Sequence, residues 1–231
     1  VWVLLILFLA LQHAEAQTVE ARKFTSLDGL SNNKVNAVFQ DSRGFLWMGT
    51  NDGLNRYDGY EYVIYRHIPA DSASIISNHI YCISEDTLTG NLWIGTNDGL
   101  SRFDPVTCRF KNYKIRQERP DRLSNRVYGI LPASDGRVWL LMERELILFH
   151  PGRGEVKHFG FGTSGRLQPG IITRNVSLHR DRRGTVWIGM EDGLYRVDTA
   201  ANVLHPTSVD TPVNNIVEMA PRVLWLGTDK G

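Results

Sequence analysis

Apolar and polar residues alternate in short runs along most of the chain, a pattern typical of β-strands. The first complete set contains four runs: "VNAVFQD" from Val35, "FLWMGT", "LNRYD" and "YEYVIYR", which ends at Arg66. Glycine-containing turns separate the runs, "SRG" before the second and "NDG" before the third. Glycine supplies the positive φ angle that such turns need, and Asp-Gly is a strong hairpin signal. The pattern predicts a unit of four short antiparallel strands.

The same unit recurs along the chain, and a tryptophan marks each copy. The tryptophans after Trp2 are separated by 46, 46, 48 and 38 residues, and the copies read "WMGTNDGLNRYD", "WIGTNDGLSRFD", "WLLMERELILFH", "WIGMEDGLYRVD" and "WLGTDKG". A period of about 40 to 50 residues with four short strands is that of a β-propeller blade. We therefore predict an all-β fold, a partial β-propeller of four-stranded antiparallel blades with about five WxG repeats and an incomplete ring. A β-sandwich is the alternative, but it does not require a tryptophan at the same position in every unit.

Residues that recur at the same position in the copies are predicted to be structural. The tryptophan is expected to pack between blades, and the glycine after it to allow close approach of neighbouring sheets. The repeated Arg and Asp of "NRYD", "SRFD" and "YRVD" are expected to bond between blades or to cap turns. The predicted structural set is Trp47, Gly49, Gly53, Trp93, Gly95, Gly99, Trp139, Trp187, Gly189, Gly193, Trp225 and Gly227.

The first residues differ in character from the repeats. "VWVLLILFLALQ" is apolar except for Gln12, and it is shorter than the roughly 20 residues that span a bilayer. Ala14 and Ala16 follow in the arrangement of a signal-peptidase site. We predict that residues 1–16 are a secretory signal peptide whose basic start is missing, with a buried N-terminal helix as the alternative. Residues 17–231 are predicted to form an N-terminal β-propeller truncated within the fifth repeat, and the segment before Val35, "KFTSLDGLSNN", is a candidate outermost strand.

Composition and charge exclude several classes of function. The 231 residues include 26 basic and 25 acidic ones, and the net charge of +1 does not predict a nucleic-acid-binding surface. Two cysteines, Cys82 and Cys108, are too few for a disulfide framework, and Cys82 occupies a small-residue position that it shares with Ala37 and Gly129. The histidines have no metal-ligand spacing, and no glycine-rich phosphate loop occurs. No catalytic residue, metal or cofactor is predicted.

One face of the propeller is predicted to carry the binding surface. The loop that leads into each blade and the hairpin between its second and third strands emerge on the same side. These segments contain "SNN", "SNH" and "SNR", and "TND", "MERE" and "MED". Amide, carboxylate and cationic groups suit a hydroxyl-rich or charged small ligand. The candidate ligand-binding residues are Asn32, Asn33, Asn51, Asn78, His79, Asn97, Asn125, Arg126, Glu143, Arg144, Glu145 and Glu191.

The third copy departs from the repeat. There Met142-Glu143-Arg144-Glu145 replaces Thr-Asn-Asp-Gly, so Glu145 occupies a glycine position and the turn must change. Departures from a local rule tend to mark functional or strained sites, and two carboxylates that flank an arginine could grip a ligand. A degenerate blade with an ordinary solvated loop is the other interpretation, and the sequence favours neither.

The stretch "GLSNNKVNAVFQDSRGFLWMGTNDGLNRYDGYEYVIY" closely resembles the two-component regulator propeller repeat. The resemblance extends from about Phe24 to the end of the chain, and it implies the periplasmic sensor region of a hybrid two-component histidine kinase. In that family two consecutive propellers precede an immunoglobulin-like domain, a membrane helix and a histidine kinase, often followed by a receiver and a DNA-binding module. Such sensors commonly detect oligosaccharides and switch on genes for their uptake.

The resemblance also implies the partners of this segment. It implies an oligosaccharide or other small polar ligand, a membrane tether through downstream segments, a homodimer in the full-length protein and no direct nucleic-acid contact. A propeller enzyme of the lyase or lactonase type is a second hypothesis, but such enzymes use histidine or acidic groups near the axis. The predicted inner strands instead carry Asn36, Tyr81 and Tyr128, with His179 as their histidine. A protein-binding scaffold is the third hypothesis, and we expect this segment not to be an enzyme.

Overall fold

A computed structural model of the chain describes residues 23–115, 125–143, 145–161 and 176–229. The predicted signal peptide lies outside these ranges. Within them the regular structure consists of 18 β-strands and one 3₁₀ turn at Ser26–Asp28. No helix in the described part of the chain is long and apolar enough to cross a membrane.

The strands group into four four-stranded blades and a two-stranded fifth unit. Blade 1 contains β1 (Val35–Gln40), β2 (Leu46–Thr50), β3 (Gly53–Tyr57) and β4 (Tyr62–Tyr65). Blade 2 contains β5 (Ile80–Asp86), β6 (Asn91–Thr96), β7 (Gly99–Asp104) and β8 (Arg109–Tyr113). Blade 3 contains β9 (Val127–Pro132), β10 (Val138–Met142), β11 (Glu145–His150) and β12 (Glu155–Phe161). Blade 4 contains β13 (Ser177–Arg180), β14 (Val186–Met190), β15 (Gly193–Asp198) and β16 (Val203–Pro206), and blade 5 contains β17 (Val213–Ala220) and β18 (Val223–Thr228).

Strand pairing confirms the predicted propeller architecture. Within each blade the strands pair antiparallel in chain order. The first strands of successive blades, β1, β5, β9, β13 and β17, contact one another in sequence and are therefore the innermost strands. One feature was not predicted: β12 pairs parallel with β16 through Gly160↔Val203 and Phe161↔Leu204, which joins the outer edges of blades 3 and 4.

The segment before β1 does not form the predicted outermost strand in its described part. Residues 23–34 contain a 3₁₀ turn that a capping box stabilises, in which the Thr25 side chain accepts from the backbone and Asp28 bonds back to Thr25. Phe24 and Leu30 from this segment pack against Tyr57 and its neighbours on blade 1. The local Thr-x-x-Asp hydrogen bonds therefore replace a strand ladder here.

Four of the five repeated tryptophans lie between blades, whereas Trp225 does not. Trp47 is fully buried and meets Phe103 of blade 2 edge-to-face at 5.2 Å between ring centroids. Trp93 clusters with residues of blade 3, Trp139 with residues of blade 4, and Trp187 with residues of blade 5. Trp225 in blade 5 is 65% exposed. Each of the first four tryptophans thus packs its blade against the next one.

In blades 1, 2 and 4 the glycine two positions after the tryptophan allows this packing. A Cβ atom at Gly49 would lie 2.5 Å from Ile80 of blade 2, and one at Gly189 would lie 2.6 Å from the Val213 carbonyl oxygen of blade 5. In blade 3 this position is Leu141, and its partner on the inner strand is Gly129 instead of a larger residue. In blade 3 the larger side chain is therefore on the second strand and the glycine is on the first. The pair still fills the core of the degenerate blade.

The repeated Arg and Asp of the third strand have separate structural roles. Asp58 Oδ1 accepts hydrogen bonds of 2.8 Å from the backbone N–H groups of Glu61 and Tyr60, and these bonds lower the pKa of Asp58. Asp104 and Asp198 cap the equivalent turns of blades 2 and 4. Arg56 lies over the Phe45 ring at 4.8 Å. Turn capping, one of the two predicted roles, therefore accounts for the repeated Asp.

Candidate functional site

The hairpins between second and third strands lie beside the loops that lead into the blades. The Asn51 N–H donates to the Lys34 carbonyl oxygen at 3.3 Å, and the Asn97 N–H donates to that of His79 at 3.0 Å. A further bond of 2.8 Å joins the Gly53 N–H to the carbonyl oxygen of Asn78 in the next loop. The two sets of segments therefore share one face of the propeller.

A β-bulge interrupts the innermost strands close to this face. The pairing of β1 with β2 passes from Val35 to Ala37, and that of β5 with β6 passes from Ile80 to Cys82. The same shift occurs in blades 3 and 5. A bulge leaves one residue outside the ladder and changes the direction of its side chain. The bulged residues are Asn36, Tyr81, Tyr128 and Asn214.

Three of the four bulged residues bond to the hairpin of their own blade. Asn36 Nδ2 donates to Asn51 Oδ1 at 2.8 Å, and it also donates to the Ile80 carbonyl oxygen of blade 2 at 2.9 Å. The Tyr81 hydroxyl donates to Asn97 Oδ1 at 3.3 Å. Asn214 Nδ2 donates to Asp229 Oδ1 in blade 5. We call the bulged residues and the hairpin residues bonded to them the inner rim.

Blades 2 and 3 place aromatic rings on the inner rim. The rings of Tyr81 and Tyr128 lie 4.9 Å apart, and His79 lies 4.7 Å from Tyr81. All three side chains are half-buried. We call these three residues the aromatic platform. Arg126 borders it, and its Nε donates to Asn97 Oδ1 at 2.9 Å.

The electrostatic surroundings of Arg126 keep its guanidinium charged. A hydrogen bond with the Tyr128 side chain raises the pKa of Arg126, and the charge of Glu143 acts in the same direction. Burial opposes this effect without reversing it. The site therefore combines a fixed cation, amide groups and aromatic surface. Among the described residues, no group of three or more His, Cys, Asp or Glu side chains could hold a metal ion.

Several predicted site residues lie away from the inner rim and hold loops in place. Asn32 Oδ1 accepts from the Lys34 N–H at 2.8 Å, and Asn33 Oδ1 accepts from the Ser26 N–H at 2.7 Å. Asn78 Oδ1 accepts from the His67 N–H at 2.7 Å. These amides stabilise the loops that lead into blades 1 and 2.

The third copy divides its predicted residues between two places. Glu143 lies close enough to Arg126 to affect its pKa, whereas Glu145 Oε2 lies 2.8 Å from Nδ1 of His158 on the outermost strand of the blade. Arg144 lies outside the described residues. Met142 pairs with Glu145 as Thr50 pairs with Gly53 in blade 1, so the third copy keeps the spacing of the hairpin. The predicted change of the turn itself falls on Arg144 and stays a prediction.

The remaining predicted site residues lie in loops of blades 3 and 4. Asn125 is half-buried in the loop before β9, and Glu191 is exposed in the hairpin of blade 4. Sequence reasoning named Asn36, Tyr81 and Tyr128 only as inner-strand residues and did not place them in the site. The signal that could have found them is the extra residue between the first apolar residue of each inner strand and the small residue that follows.

Comparison with known proteins identifies the repeat. The two-component regulator propeller family matches residues 29–52 and 74–98, each running from the loop before an innermost strand to the following hairpin. Parts of blades 1 and 2 therefore match the two-component regulator propeller repeat. Histidine kinase P4 of Formosa agariphila is 46% identical over 74 residues, which are 32% of this chain and 5% of the kinase. The resemblance predicted from the sequence is therefore confirmed, and the chain spans a small fraction of this relative.

Several solved structures have folds similar to that of this chain. The extracellular domain of a one-component system of B. thetaiotaomicron superposes with a TM-score of 0.68 and 21% identity, covering 92% of this chain and 28% of that one. The extracellular domain of a hybrid two-component system from the same organism has a TM-score of 0.59 and 22% identity, covering 90% and 34%. Virginiamycin B lyase of Staphylococcus aureus has a TM-score of 0.61 and 14% identity, covering 84% and 62%. At these identities the likeness establishes the fold.

Proposed function

We propose that this chain is the ligand-sensing propeller of a periplasmic two-component sensor and that its ligand is an oligosaccharide. The observation that carries the proposal is the inner rim of blades 1 and 2, where Asn36 and Tyr81 are directed onto Asn51 and Asn97. Amide groups bond sugar hydroxyls, and an aromatic ring provides area for the apolar face of a sugar. The site can therefore bind a hydroxyl-rich ligand without catalytic groups.

The comparisons support the sensor part of the proposal. Parts of blades 1 and 2 match the propeller repeat of two-component regulators, and the relative that shares 46% identity over 74 residues is a histidine kinase. Two of the similar structures are extracellular domains of signalling systems. In this proposal the ligand binds outside the cytoplasm, and the remainder of the natural protein relays binding to a kinase and to transcription. The relay requires that the bound and free propeller differ in their contacts with that remainder.

A binding screen with a matched pair of variants tests the proposal. We expect the complete natural protein to bind at least one member of an oligosaccharide library and to change its autophosphorylation rate in response. Asn97→Ala removes the acceptor of both Tyr81 and Arg126 and should weaken binding about tenfold or more. Asn91→Ala removes an exposed amide at the opposite end of β6, which bonds only to Thr89 among the described contacts, and should leave binding unchanged.

Three results would contradict the proposal. Equal losses of affinity in Asn97→Ala and Asn91→Ala would remove the inner rim from the site. Turnover of a bound sugar or lactone by the purified protein would favour the propeller-enzyme hypothesis. A library without binders, combined with a protein ligand that changes autophosphorylation, would favour a scaffold. Thermal unfolding of each variant shows whether a loss of binding reflects a loss of folding.

A further inference from the structure

We propose that the inner rim of blades 1 to 3 binds an anionic sugar residue. In this proposal the sugar ring stacks on the aromatic platform, and its carboxylate or sulfate group is bound by Arg126. The inference rests on the proposed function and specifies the ligand class of the same site.

A basic side chain occupies the same position in three successive blades. Lys34, His79 and Arg126 each directly precede the innermost strand of their blade. The backbone confirms this equivalence for blades 1 and 2, because the carbonyl oxygens of Lys34 and His79 each accept the N–H of the first hairpin residue. Lys34 and Arg126 carry like charges at equivalent positions of blades 1 and 3, and their field favours an anion between them.

Carboxylates also occur among the hairpin residues of these blades. The first hairpin residue is a neutral amide in blades 1 and 2, Asn51 and Asn97, whereas it is Glu143 in blade 3. Asp52, the second hairpin residue of blade 1, is paired with Arg66 at 3.1 Å. Asp98 is exposed, outside the half-buried aromatic platform. Glu143 is therefore the carboxylate that acts on Arg126, at the border of the site towards blade 3.

Arg126 is oriented before any ligand binds. Its Nε–H bond to Asn97 Oδ1, 2.9 Å long, orients the guanidinium beside the platform. A planar guanidinium matches the oxygens of a carboxylate or sulfate with two parallel hydrogen bonds. A group that is already oriented loses less conformational entropy on binding, so its contribution to affinity is larger.

The aromatic platform selects a cyclic ligand over a simple anion. The contacts of Tyr81 with Tyr128 and His79, at 4.9 and 4.7 Å, leave three adjoining rings half-buried beside the cation. Inorganic sulfate or acetate would contact the arginine but not the rings. A sugar acid reaches both, which distinguishes the proposed site from a general anion site.

Calorimetry with paired acidic and neutral oligosaccharides tests the inference. The probes are hexasaccharides of glucuronate, galacturonate, mannuronate and guluronate and a sulfated hexasaccharide, each beside its carboxyl-reduced or desulfated counterpart. We expect the complete natural protein to bind at least one acidic probe about 10- to 100-fold more tightly than its neutral counterpart, because a charge-assisted bond to Arg126 is lost in the latter. Comparison of the uronates with the sulfated probe identifies which anionic group is bound.

Variants locate the preference for acidic probes. Arg126→Gln should abolish the difference between acidic and neutral probes, whereas Arg137→Gln, in the turn between β9 and β10 at the other end of blade 3, should retain it. Tyr128→Ala should weaken the binding of acidic and neutral probes alike. Unfolding midpoints within the error of the wild-type value show that these variants are folded, and Arg126→Lys provides a second test if Arg126→Gln is unstable.

The possible failures are distinguishable from one another. Equal or tighter binding of the neutral probes, or a preference for acidic probes that survives Arg126→Gln, overturns the inference and leaves the oligosaccharide sensor intact. Absence of binding by both sets of probes, together with a library without binders, overturns the inference and the proposed function together. Binding of free sulfate or acetate as tightly as of the acidic hexasaccharides excludes a role for the platform.

Discussion

The indole Nε1–H of Trp47 donates a 2.9 Å hydrogen bond to Oδ2 of Asp41, whose carboxylate is fully buried. The same bond of 2.9 Å joins Trp187 to Asp181 in blade 4. In both blades the aspartate begins the turn between the first and second strands. One carboxylate therefore stabilises this turn and also accepts the indole N–H of the tryptophan that packs between the blades. Trp93 in blade 2 has a buried Nε1 without a hydrogen-bond partner.

We predict that Asp41→Ala destabilises the protein more than Asp86→Ala. Asp41→Ala leaves the buried Trp47 N–H without an acceptor and removes the acceptor of the turn's backbone N–H groups. We expect it to lower the free energy of unfolding by about 1–3 kcal/mol. Asp86 starts a turn that is one residue longer and bonds to Leu88 and Thr89 instead of Trp93, so its loss should cost at most about 1 kcal/mol. Urea unfolding of both variants measures the difference, and equal midpoints would contradict the structural role of the Trp–Asp bond.

The pH dependence of stability provides a second prediction. Burial of Asp41 raises its pKa, but the hydrogen bonds from Trp47, Arg43 and Phe45 outweigh burial, so the folded-state pKa lies below the ordinary value. Stability from this group is therefore complete above the unfolded-state pKa of about 4 and is lost as pH falls through the folded-state pKa. Asp41→Asn cannot titrate, so its deficit relative to wild type should narrow between pH 7 and pH 3. A constant deficit in urea unfolding over that range would refute the assignment.

The glycine after the tryptophan can be tested against a glycine in open space. A Cβ atom at Gly95 would lie 2.6 Å from the Val127 carbonyl oxygen of blade 3 and would also collide with Cys82, whereas nothing lies within 4 Å of such an atom at Gly160. Gly95→Ala should therefore cost about 1–3 kcal/mol, and Gly160→Ala should change stability by less than about 0.5 kcal/mol. Neither glycine has a positive φ angle, so backbone strain is matched. Similar unfolding free energies for the two variants would contradict a close contact between blades at Gly95.

The blade architecture could be predicted because its requirements recur in every copy. A tryptophan, a small residue and a glycine turn at a fixed spacing are visible in the sequence, and they correspond to Trp47, Gly49 and Gly53 in the structure. The segment before β1 was predicted to be an outermost strand because it resembles the end of a blade. Its described part instead contains a 3₁₀ turn with a capping box at Thr25, a local signal that the comparison of repeats did not take into account.

The candidate site could be predicted as a face but not as a set of contacts. The loops and hairpins were placed correctly on one side, yet Asn33 and Asn78 bond to their own loops. The inner rim depends on a bulge that changes the direction of Asn36 and Tyr81, and a bulge leaves no strong signal in one sequence. Contacts between blades are equally hidden: Glu85 accepts from the Ser42 N–H at 2.9 Å across 43 residues of chain.

The two cysteines should differ sharply in reactivity. Both are free, and burial raises the pKa of the Cys82 thiol to about 12, where its Sγ packs beside the Val127 carbonyl oxygen. At pH 8 about one Cys82 thiol in ten thousand would be ionised, and the thiolate is the reactive form. Cys108 is exposed in the hairpin between β7 and β8.

A thiol-reactive reagent should therefore modify one cysteine in the folded protein and two after unfolding in guanidinium. In Cys108→Ser the folded protein should be nearly unreactive and the unfolded protein should react once. Rapid labelling of folded Cys108→Ser would show that blades 2 and 3 open at Cys82 on the timescale of the reaction, because the thiol packs at their junction. Labelling of Cys82 at the slow rate of global unfolding would instead show that the two blades separate only when the whole core unfolds. We expect this second result, because Trp93 and Val127 belong to one hydrophobic cluster shared by the two blades.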